Sequence, residues 1–212
     1  MYTLYYAPST AALAVHWMLI ELGVPFDLVE IDLAAGEQRS AAYLAVNPSG
    51  HVPALIVDGR PRAECAALLM LLAERHPEAG LAPAPGAPER ADYLQWMIYF
   101  ANTLQPAFRA WFYPDEPAGP EQADAAMAHA RPRIEAAFAR LDRWFADGRA
   151  YLLGERLSAA DFLATMLARW SRNMPKPATE WPHLGGYVDR MRAMPSLREV
   201  HAREGLTDWI DG

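Results

Sequence analysis

The first 75 residues combine two patterns that together restrict the fold to a sheet with mixed strand directions. Short β-prone segments at residues 2–6 and 26–33 flank a helical stretch that begins at Ala11. A strand, a helix and a strand in this order favour a parallel pair with a right-handed crossover. Further along, Asp58-Gly59 is a strong signal for a tight hairpin, and a hairpin joins antiparallel strands. A four-stranded mixed sheet that carries helices on its faces satisfies both requirements.

The rest of this half completes the order βαβαββα. Hydrophobic periodicity predicts strands at residues 52–57 and 60–63 and helices at residues 37–46 and 64–75. The residues that follow, 78–88, are rich in Pro, Ala and Gly, and this composition predicts a linker. We therefore predict one α/β domain over residues 1–77.

Helical spacing is the only periodicity beyond the linker. It runs through residues 90–112, 121–147, 158–171 and 181–194. Ser158 and Asp161 have the spacing of a capping box at the start of the third of these helices. Because no strand pattern appears, residues 89–212 are predicted to form an all-α domain.

The charge distribution excludes several classes of partner. The net charge is −7, and the 19 basic residues are dispersed among acidic ones. Nucleic acid requires a concentrated basic face, which is missing, and an anionic membrane surface is disfavoured for the same reason. No apolar run has the length needed to span a bilayer, and the N-terminus has no secretion signal. Since Cys65 is the single cysteine, we expect a cytoplasmic protein without internal disulfides.

Metal ions and nucleotides are not expected as ligands. The six histidines lack the spacing that places two ligands on one helical turn. No glycine-rich phosphate loop is present either, so the sequence gives no support to a nucleotide cofactor.

The segment around Pro53 allows two interpretations. A proline at the start of a strand is normally trans, since the cis form accounts for roughly 5–6% of X-Pro bonds in folded proteins. If the Val52-Pro53 bond is cis instead, the backbone N–H and C=O of Val52 face outward and can pair with an extended peptide ligand. The residues themselves leave both interpretations open.

The start of the helix at residue 64 also has two interpretations. Free N–H groups and the positive end of the helix dipole attract a carboxylate there, but ordinary capping chemistry explains Glu64 equally well. Cys65 either has a pKa lowered by the helix N-terminus or is a small buried hydrophobe.

Hydroxyl groups and aromatic rings supply the remaining candidates. Tyr5, Ser9 and Thr10 surround the turn after the first strand, where one hydroxyl could hydrogen-bond to a thiolate and keep it ionised. Alternatively, Ser9 or Thr10 caps the helix and the tyrosine belongs to the core. In the second half, an aromatic stripe is typical of a helix core, and its end near Trp111 is the part most compatible with a ligand pocket.

Four segments taken together resemble the glutathione transferase family, in the right order along nearly the whole chain. Residues 47–55 resemble the family's N-P-x-G-x-V-P-x-L segment, whose final proline is cis. Residues 63–68 resemble its E-S-x-A-I helix start, residues 157–161 its capping box, and residues 182–197 its C-terminal run. The resemblance implies a thioredoxin-like first domain and a homodimer.

The resemblance also implies that glutathione, as substrate or cofactor, lies extended over the first domain. Val52, exposed by cis-Pro53, would pair with the cysteinyl backbone, and His51 would contact the glycyl carboxylate. Glu64 and Cys65 would hold the γ-glutamyl end. Since Cys65 replaces the family's usual serine and a thiol is the weaker donor, we expect looser glutathione binding.

Cysteine-based chemistry is not expected. The bacterial beta class carries a cysteine where this sequence has Ala11, and it tends to carry a His-Lys pair where this sequence has Gln105-Pro106. The hydroxyl groups that could activate the thiol, in order of preference, belong to Ser9, Tyr5 and Thr10.

The preferred function is a detoxifying transferase that adds the glutathione thiolate to a hydrophobic electrophile, bound by Phe108, Trp111 and Tyr113. One alternative is an isomerase, reductase or dehalogenase that uses glutathione as a cofactor. Another is a non-catalytic glutathione-binding interaction protein of the same fold.

Overall fold

The computed structural model describes residues 1–117 and 119–210, and these form two compact units. The first unit contains Met1–Ala82 together with the segment that begins at Arg192, and the second contains Pro83–Met191. Residues 118, 211 and 212, which fall within the predicted domain 89–212, lie outside the described residues.

The first unit is built on a four-stranded mixed sheet, as predicted. Its strands are β1 (Tyr2–Tyr6), β2 (Phe26–Glu30), β3 (Ala54–Val57) and β4 (Arg60–Arg62), in the spatial order β2-β1-β3-β4. β1 and β2 are parallel, and the other two pairs are antiparallel. Asp58 and Gly59 form the two-residue hairpin between Val57 and Arg60, and both have positive φ angles, as this turn type requires.

Helices account for most of the remaining described residues. In chain order the α-helices are α1 (Ala12–Glu21), α2 (Ala41–Val46), α3 (Cys65–Arg75), α4 (Arg90–Tyr99), α5 (Gln105–Phe112), α6 (Ala123–Trp144), α7 (Ala159–Trp170), α8 (Pro182–Arg192) and α9 (Pro195–Arg203). In the first unit α1 packs against both α3 and α9.

Several predicted elements are shorter than expected, among them β2, the helix at residues 37–46 and β3. β2 ends at Glu30 rather than at residue 33, because its partner β1 ends at Tyr6, the residue paired with Glu30. The helix predicted at residues 37–46 is divided into a 3₁₀ turn, Glu37–Arg39, and α2. The division falls at Ser40, whose hydroxyl caps α2 by accepting the N–H of Tyr43 at 3.2 Å. β3 begins at Ala54 rather than at residue 52.

The predicted helix at residues 90–112 is interrupted by a π-helical turn. This turn, Phe100–Leu104, separates α4 from α5. Pro106 lies in the first turn of α5, and a proline provides no N–H for the carbonyl four residues earlier and clashes with it. The π-helical turn thus stands directly before the proline, where a regular α-helical hydrogen bond cannot form.

The start of α7 has the predicted capping box. The side chain of Asp161 accepts the N–H of Ser158 at 2.8 Å, and the Ser158 side chain faces the backbone of the third helical residue. In the second unit, α7 is buried along nearly its whole length. None of the helices in the described ranges is both long and apolar enough to cross a membrane.

Candidate functional site

Three segments of the first unit meet at one end of its sheet. Because β1 and β3 are antiparallel and Tyr5 pairs with Ala54, the turn after β1 lies beside the residues that precede β3. The start of α3 reaches the same place, since the Cys65 thiol donates to the carbonyl oxygen of Ala11 at 3.3 Å. The predicted candidates of the first domain therefore come from neighbouring segments.

The segment before β3 is held by hydrogen bonds to one carbonyl group. The oxygen of His51 accepts from the Tyr43 hydroxyl and from Asn47 Nδ2, both at 2.6 Å. Asn47 Oδ1 in turn accepts the N–H of Ser49 at 3.2 Å. These bonds fix the chain on the N-terminal side of Val52.

Val52 presents an unpaired backbone unit at this position. The Val52-Pro53 peptide bond is cis, as the resemblance implied. Within residues 1–117 and 119–210, neither the N–H nor the C=O of Val52 has a hydrogen-bond partner, and the residue is half-buried. His51 is exposed beside it. A half-buried donor and acceptor on one residue are suited to pair with an extended peptide backbone.

The start of α3 offers backbone N–H groups but no reactive thiol. Glu64 is exposed and has a φ of 69°, and Cys65 is the first helical residue. Burial and, to a smaller extent, the neighbouring Glu64 carboxylate raise the pKa of the Cys65 thiol to about 12. The alternative of a lowered pKa is wrong, because the side chain points into the core rather than along the helix axis. Its thiol hydrogen is already given to Ala11, so what this turn presents outward is its backbone N–H groups.

The hydroxyl candidates differ in how far they are already engaged. Thr10 Oγ1 donates to the carbonyl oxygen of Ala7 at 2.7 Å and accepts the N–H of Ala12 at 3.2 Å. Thr10 therefore serves the start of α1, which is the capping role considered above. Tyr5 is half-buried, with its ring 5.9 Å from that of Tyr43.

Ser9 has an unusual backbone conformation for a residue with a side chain. Its φ is 63°, in the left-handed region that residues other than glycine rarely occupy. Its N–H donates to Glu204 Oε2 at 2.9 Å. Backbone conformations of this kind persist where surrounding contacts determine them, and they are common at functional sites.

Two residues behind the turn were not predicted as functional. Glu204 and His16 are both buried, and they meet at 2.9 Å between Glu204 Oε1 and His16 Nδ1. One signal was available, because His16 stands inside the apolar run of α1 and a buried imidazole needs a polar partner. The identity of that partner was not available, since Glu204 is 188 residues away.

The aromatic residues predicted to bind a co-substrate lie in the second unit and differ in accessibility. Phe108 is fully buried and packs against Phe112 and Trp170. Its burial contradicts the prediction that it lines a ligand pocket, and it belongs to the core. Trp111 is half-buried, and Tyr113 is 45% exposed with the Arg109 guanidinium 3.9 Å from its ring centre.

Metal ligands do not cluster in the described part of the chain. No group of three or more His, Cys, Asp or Glu side chains there has a geometry that could hold a metal ion.

The fold and site define a thioredoxin-like domain, with a cis-proline before its third strand, joined in sequence to a helical unit. Residues 8–75 match the family described as glutathione S-transferase, N-terminal domain. Residues 96–195 match glutathione S-transferase, C-terminal domain. The chain belongs to the glutathione transferase family.

Relatives of similar length support the same assignment. Glutathione S-transferase GstA of Escherichia coli O157:H7 is 28% identical over 96% of this chain and 98% of its own. A solved Sulfitobacter glutathione transferase homologue with bound glutathione is 29% identical, with a TM-score of 0.88 over 96% of this chain and 98% of that one. A solved beta-class glutathione S-transferase of Sphingomonas chungbukensis is 30% identical, with a TM-score of 0.83 over 97% of this chain and 100% of that one.

Proposed function

We propose that this protein is a glutathione transferase that binds glutathione in extended form at the end of its sheet. The observation that carries the proposal is the unpaired N–H and C=O of half-buried Val52. These groups match the C=O and N–H of a cysteinyl residue in an extended tripeptide. The Sulfitobacter relative with bound glutathione supports the choice of ligand.

The two ends of glutathione would meet groups on either side of Val52. The γ-glutamyl carboxylate is suited to the first turn of α3, where Cys65 and the next residues present N–H groups without intrahelical partners. Glu64, exposed at the same turn, can accept from the γ-glutamyl ammonium group. His51, exposed directly before Val52, is proposed to contact the glycyl carboxylate.

Thiol activation is assigned to a hydroxyl at the end of β1 or in the turn between β1 and α1. A hydroxyl that donates a hydrogen bond to the glutathione sulfur stabilises the thiolate and lowers its pKa. Ser9 remains the first candidate and Tyr5 the second. Thr10 stays last, because its hydrogen already serves Ala7. The thiolate then forms a C–S bond with an electrophilic carbon, and the displaced electron pair leaves with a leaving group or takes up a proton.

The remaining parts of the proposal concern the partner molecules. Trp111 and Tyr113 are retained as the aromatic surface for a hydrophobic electrophile. We also propose a homodimer in the cytoplasm, with sequence domains near residues 1–77 and 89–212, of which the segment from Arg192 packs in the first unit. The family matches over residues 8–75 and 96–195 support those limits.

Titration of the bound thiol tests the proposal. The thiolate absorbance of glutathione would be followed against pH in complex with the unaltered protein, Ser9→Ala and Tyr5→Phe. We expect a bound-thiol pKa well below that of free glutathione, returned toward the free value in one variant. That variant identifies the activating hydroxyl.

Other outcomes point to the alternatives. Binding without a depressed thiol pKa would contradict the transferase proposal and favour a non-catalytic glutathione-binding protein. A depressed pKa with regeneration of free glutathione or its disulfide during turnover would favour the use of glutathione as a cofactor.

A further inference from the structure

Glu204 joins the turn after β1 to the interior of α1. The residue directly follows α9, and its side chain has no solvent-exposed area. One carboxylate oxygen accepts the N–H of Ser9 at 2.9 Å, and the other lies 2.9 Å from His16 Nδ1. A single buried acid therefore contacts both a backbone group of the turn and a side chain of the helix that follows it.

His16 is placed so that it can hold this carboxylate in one orientation. Its ring lies between Tyr6 and Phe26, with centroid separations of 5.6 Å to each and edge-to-face geometry. A carboxylate can only accept, so the tautomer with the hydrogen on Nδ1 is the one that completes a hydrogen bond to Glu204. Within the described residues, Nε2 is buried without a hydrogen-bond partner. The contact with Glu204 is thus the polar interaction that orients the imidazole.

The bond to this carboxylate is one of the contacts that hold the backbone of the turn. Ser9 has a φ of 63°, and a left-handed conformation in a residue with a side chain requires contacts that hold it. The bond from the Ser9 N–H is one such contact, and its acceptor is fixed by His16. Because φ sets the direction of the Cα–Cβ bond, the Glu204 carboxylate also influences the direction in which the Ser9 side chain leaves the backbone.

We propose that Glu204 is a positioning residue for thiol activation, holding Ser9 in its left-handed conformation with His16 as the support of its carboxylate. The inference rests on the proposed function, because it gives the Ser9 turn an activating role. Glu204 itself contacts the backbone of Ser9 and is not placed to touch the sulfur.

Substitutions at Glu204 separate the hydrogen bond from the charge. Glu204→Leu removes the acceptor. Glu204→Gln keeps an oxygen for the Ser9 N–H, and its amide N–H₂ can donate to Nδ1 once His16 adopts the other neutral tautomer. Ser196→Ala is the matched control. It removes the 2.8 Å bond from Trp17 Nε1 to Ser196 and loosens the same α1–α9 packing without touching Ser9.

The readouts are the pKa of the bound glutathione thiol, the kcat and KM for glutathione, and amide hydrogen exchange in the peptide that contains Ser9. In Glu204→Leu we expect faster exchange, a bound-thiol pKa moved toward that of free glutathione, and a kcat at neutral pH lowered about tenfold or more. KM for glutathione should change by less than about threefold, since the binding groups near Val52 are intact. Glu204→Gln should recover part of the loss, because the tautomer it requires places a hydrogen on Nε2, which has no acceptor among the described residues. Ser196→Ala should retain the depressed thiol pKa.

The possible failures are distinguishable. If the unaltered protein shows no depressed thiol pKa, the proposed function fails and the role given to Glu204 is overturned with it. A depressed pKa that persists in Glu204→Leu overturns the inference about Glu204 alone. The same holds if Ser196→Ala reproduces the full effect. If Glu204→Leu fails to fold, the other variants decide. An equal loss of thiol pKa depression in Glu204→Gln and Ser196→Ala would overturn the inference. A selective loss of Ser9 amide protection in His16→Leu would support it.

Discussion

At the scale of residues, Cys65 shows two opposing influences on one thiol. The first turn of a helix stabilises a nearby negative charge by about 0.3–1 kcal/mol at exposed sites. The Cys65 side chain is turned into the core instead, where burial raises its pKa to about 12. Desolvation exceeds the dipole contribution because the sulfur has no access to water. The thiol therefore serves the fold by bonding to Ala11 rather than meeting a ligand.

The family's usual serine at this position predicts the effect of a hydroxyl at position 65, provided that the hydroxyl turns away from Ala11 and toward the γ-glutamyl end. Cys65→Ser should tighten glutathione binding by about two- to tenfold, the range of one added neutral hydrogen bond. Isothermal titration calorimetry would measure the change. Cys65→Ala serves as the control and should bind like the unaltered protein, because the native thiol donates inward. An unchanged affinity in Cys65→Ser would show that the residue has no influence on the γ-glutamyl end.

Residues of the candidate site could be predicted from the sequence where the signal was local. Val52, Pro53 and Glu64 lie in short segments whose composition is itself informative. The contact between Ser9 and Glu204 could not be predicted, because it joins positions 195 residues apart and neither residue type is unusual. Phe108 was misplaced for a related reason, since an aromatic stripe does not indicate which of its members other helices cover.

At the scale of elements, α7 depends on a buried acid at its start. Both oxygens of Asp161 accept hydrogen bonds, from the N–H of Leu152 at 2.9 Å and of Ser158 at 2.8 Å, and also from side-chain hydroxyls. Burial nevertheless raises the pKa of Asp161 to about 6, against the opposing effect of these bonds. The folded chain therefore binds this proton more tightly than the unfolded chain does.

The sign of this shift predicts a pH dependence of stability. Because the pKa of Asp161 is raised in the folded chain, its proton adds to the free energy of unfolding. This stabilisation is fully present below about pH 4 and is lost as the pH rises through about 6. The change amounts to about 3 kcal/mol. The free energy of unfolding of the unaltered protein minus that of Asp161→Asn should therefore fall by about 3 kcal/mol between about pH 4 and pH 6.

Urea denaturation at several pH values measures that difference. The hydrogen bonds lost in Asp161→Asn add an offset of about 1–3 kcal/mol that does not vary with pH, so the slope isolates the titration. A difference that stays flat from acid to neutral pH would contradict the raised pKa.

Helices and strands could be predicted from the sequence where adjacent residues determine the positions at which they begin and end. The Asp58-Gly59 hairpin and the Ser158 capping box were both found from a few adjacent residues. β2 was predicted too long because its end is set by its partner β1. α9 was not predicted as a separate helix, and its place against α1 follows from tertiary packing rather than periodicity.

At the scale of the whole molecule, the homodimer can be tested directly. Sedimentation equilibrium at micromolar concentrations should give twice the 23.6 kDa mass of one chain, because the family resemblance implies a homodimer. A dilution series would show whether the association is reversible. The mass of a single chain throughout that series would contradict the proposed dimer.

The first unit is discontinuous in sequence, and this affects the order in which it can assemble during synthesis. Ser9 leaves the ribosome 195 residues before its carboxylate partner, a delay of roughly 10 to 40 s at ordinary elongation rates. The sheet can form during that interval, since β1 to β4 all lie within the first 62 residues. The Ser9 turn cannot reach its final state until Glu204 arrives, so the site matures after the scaffold that carries it.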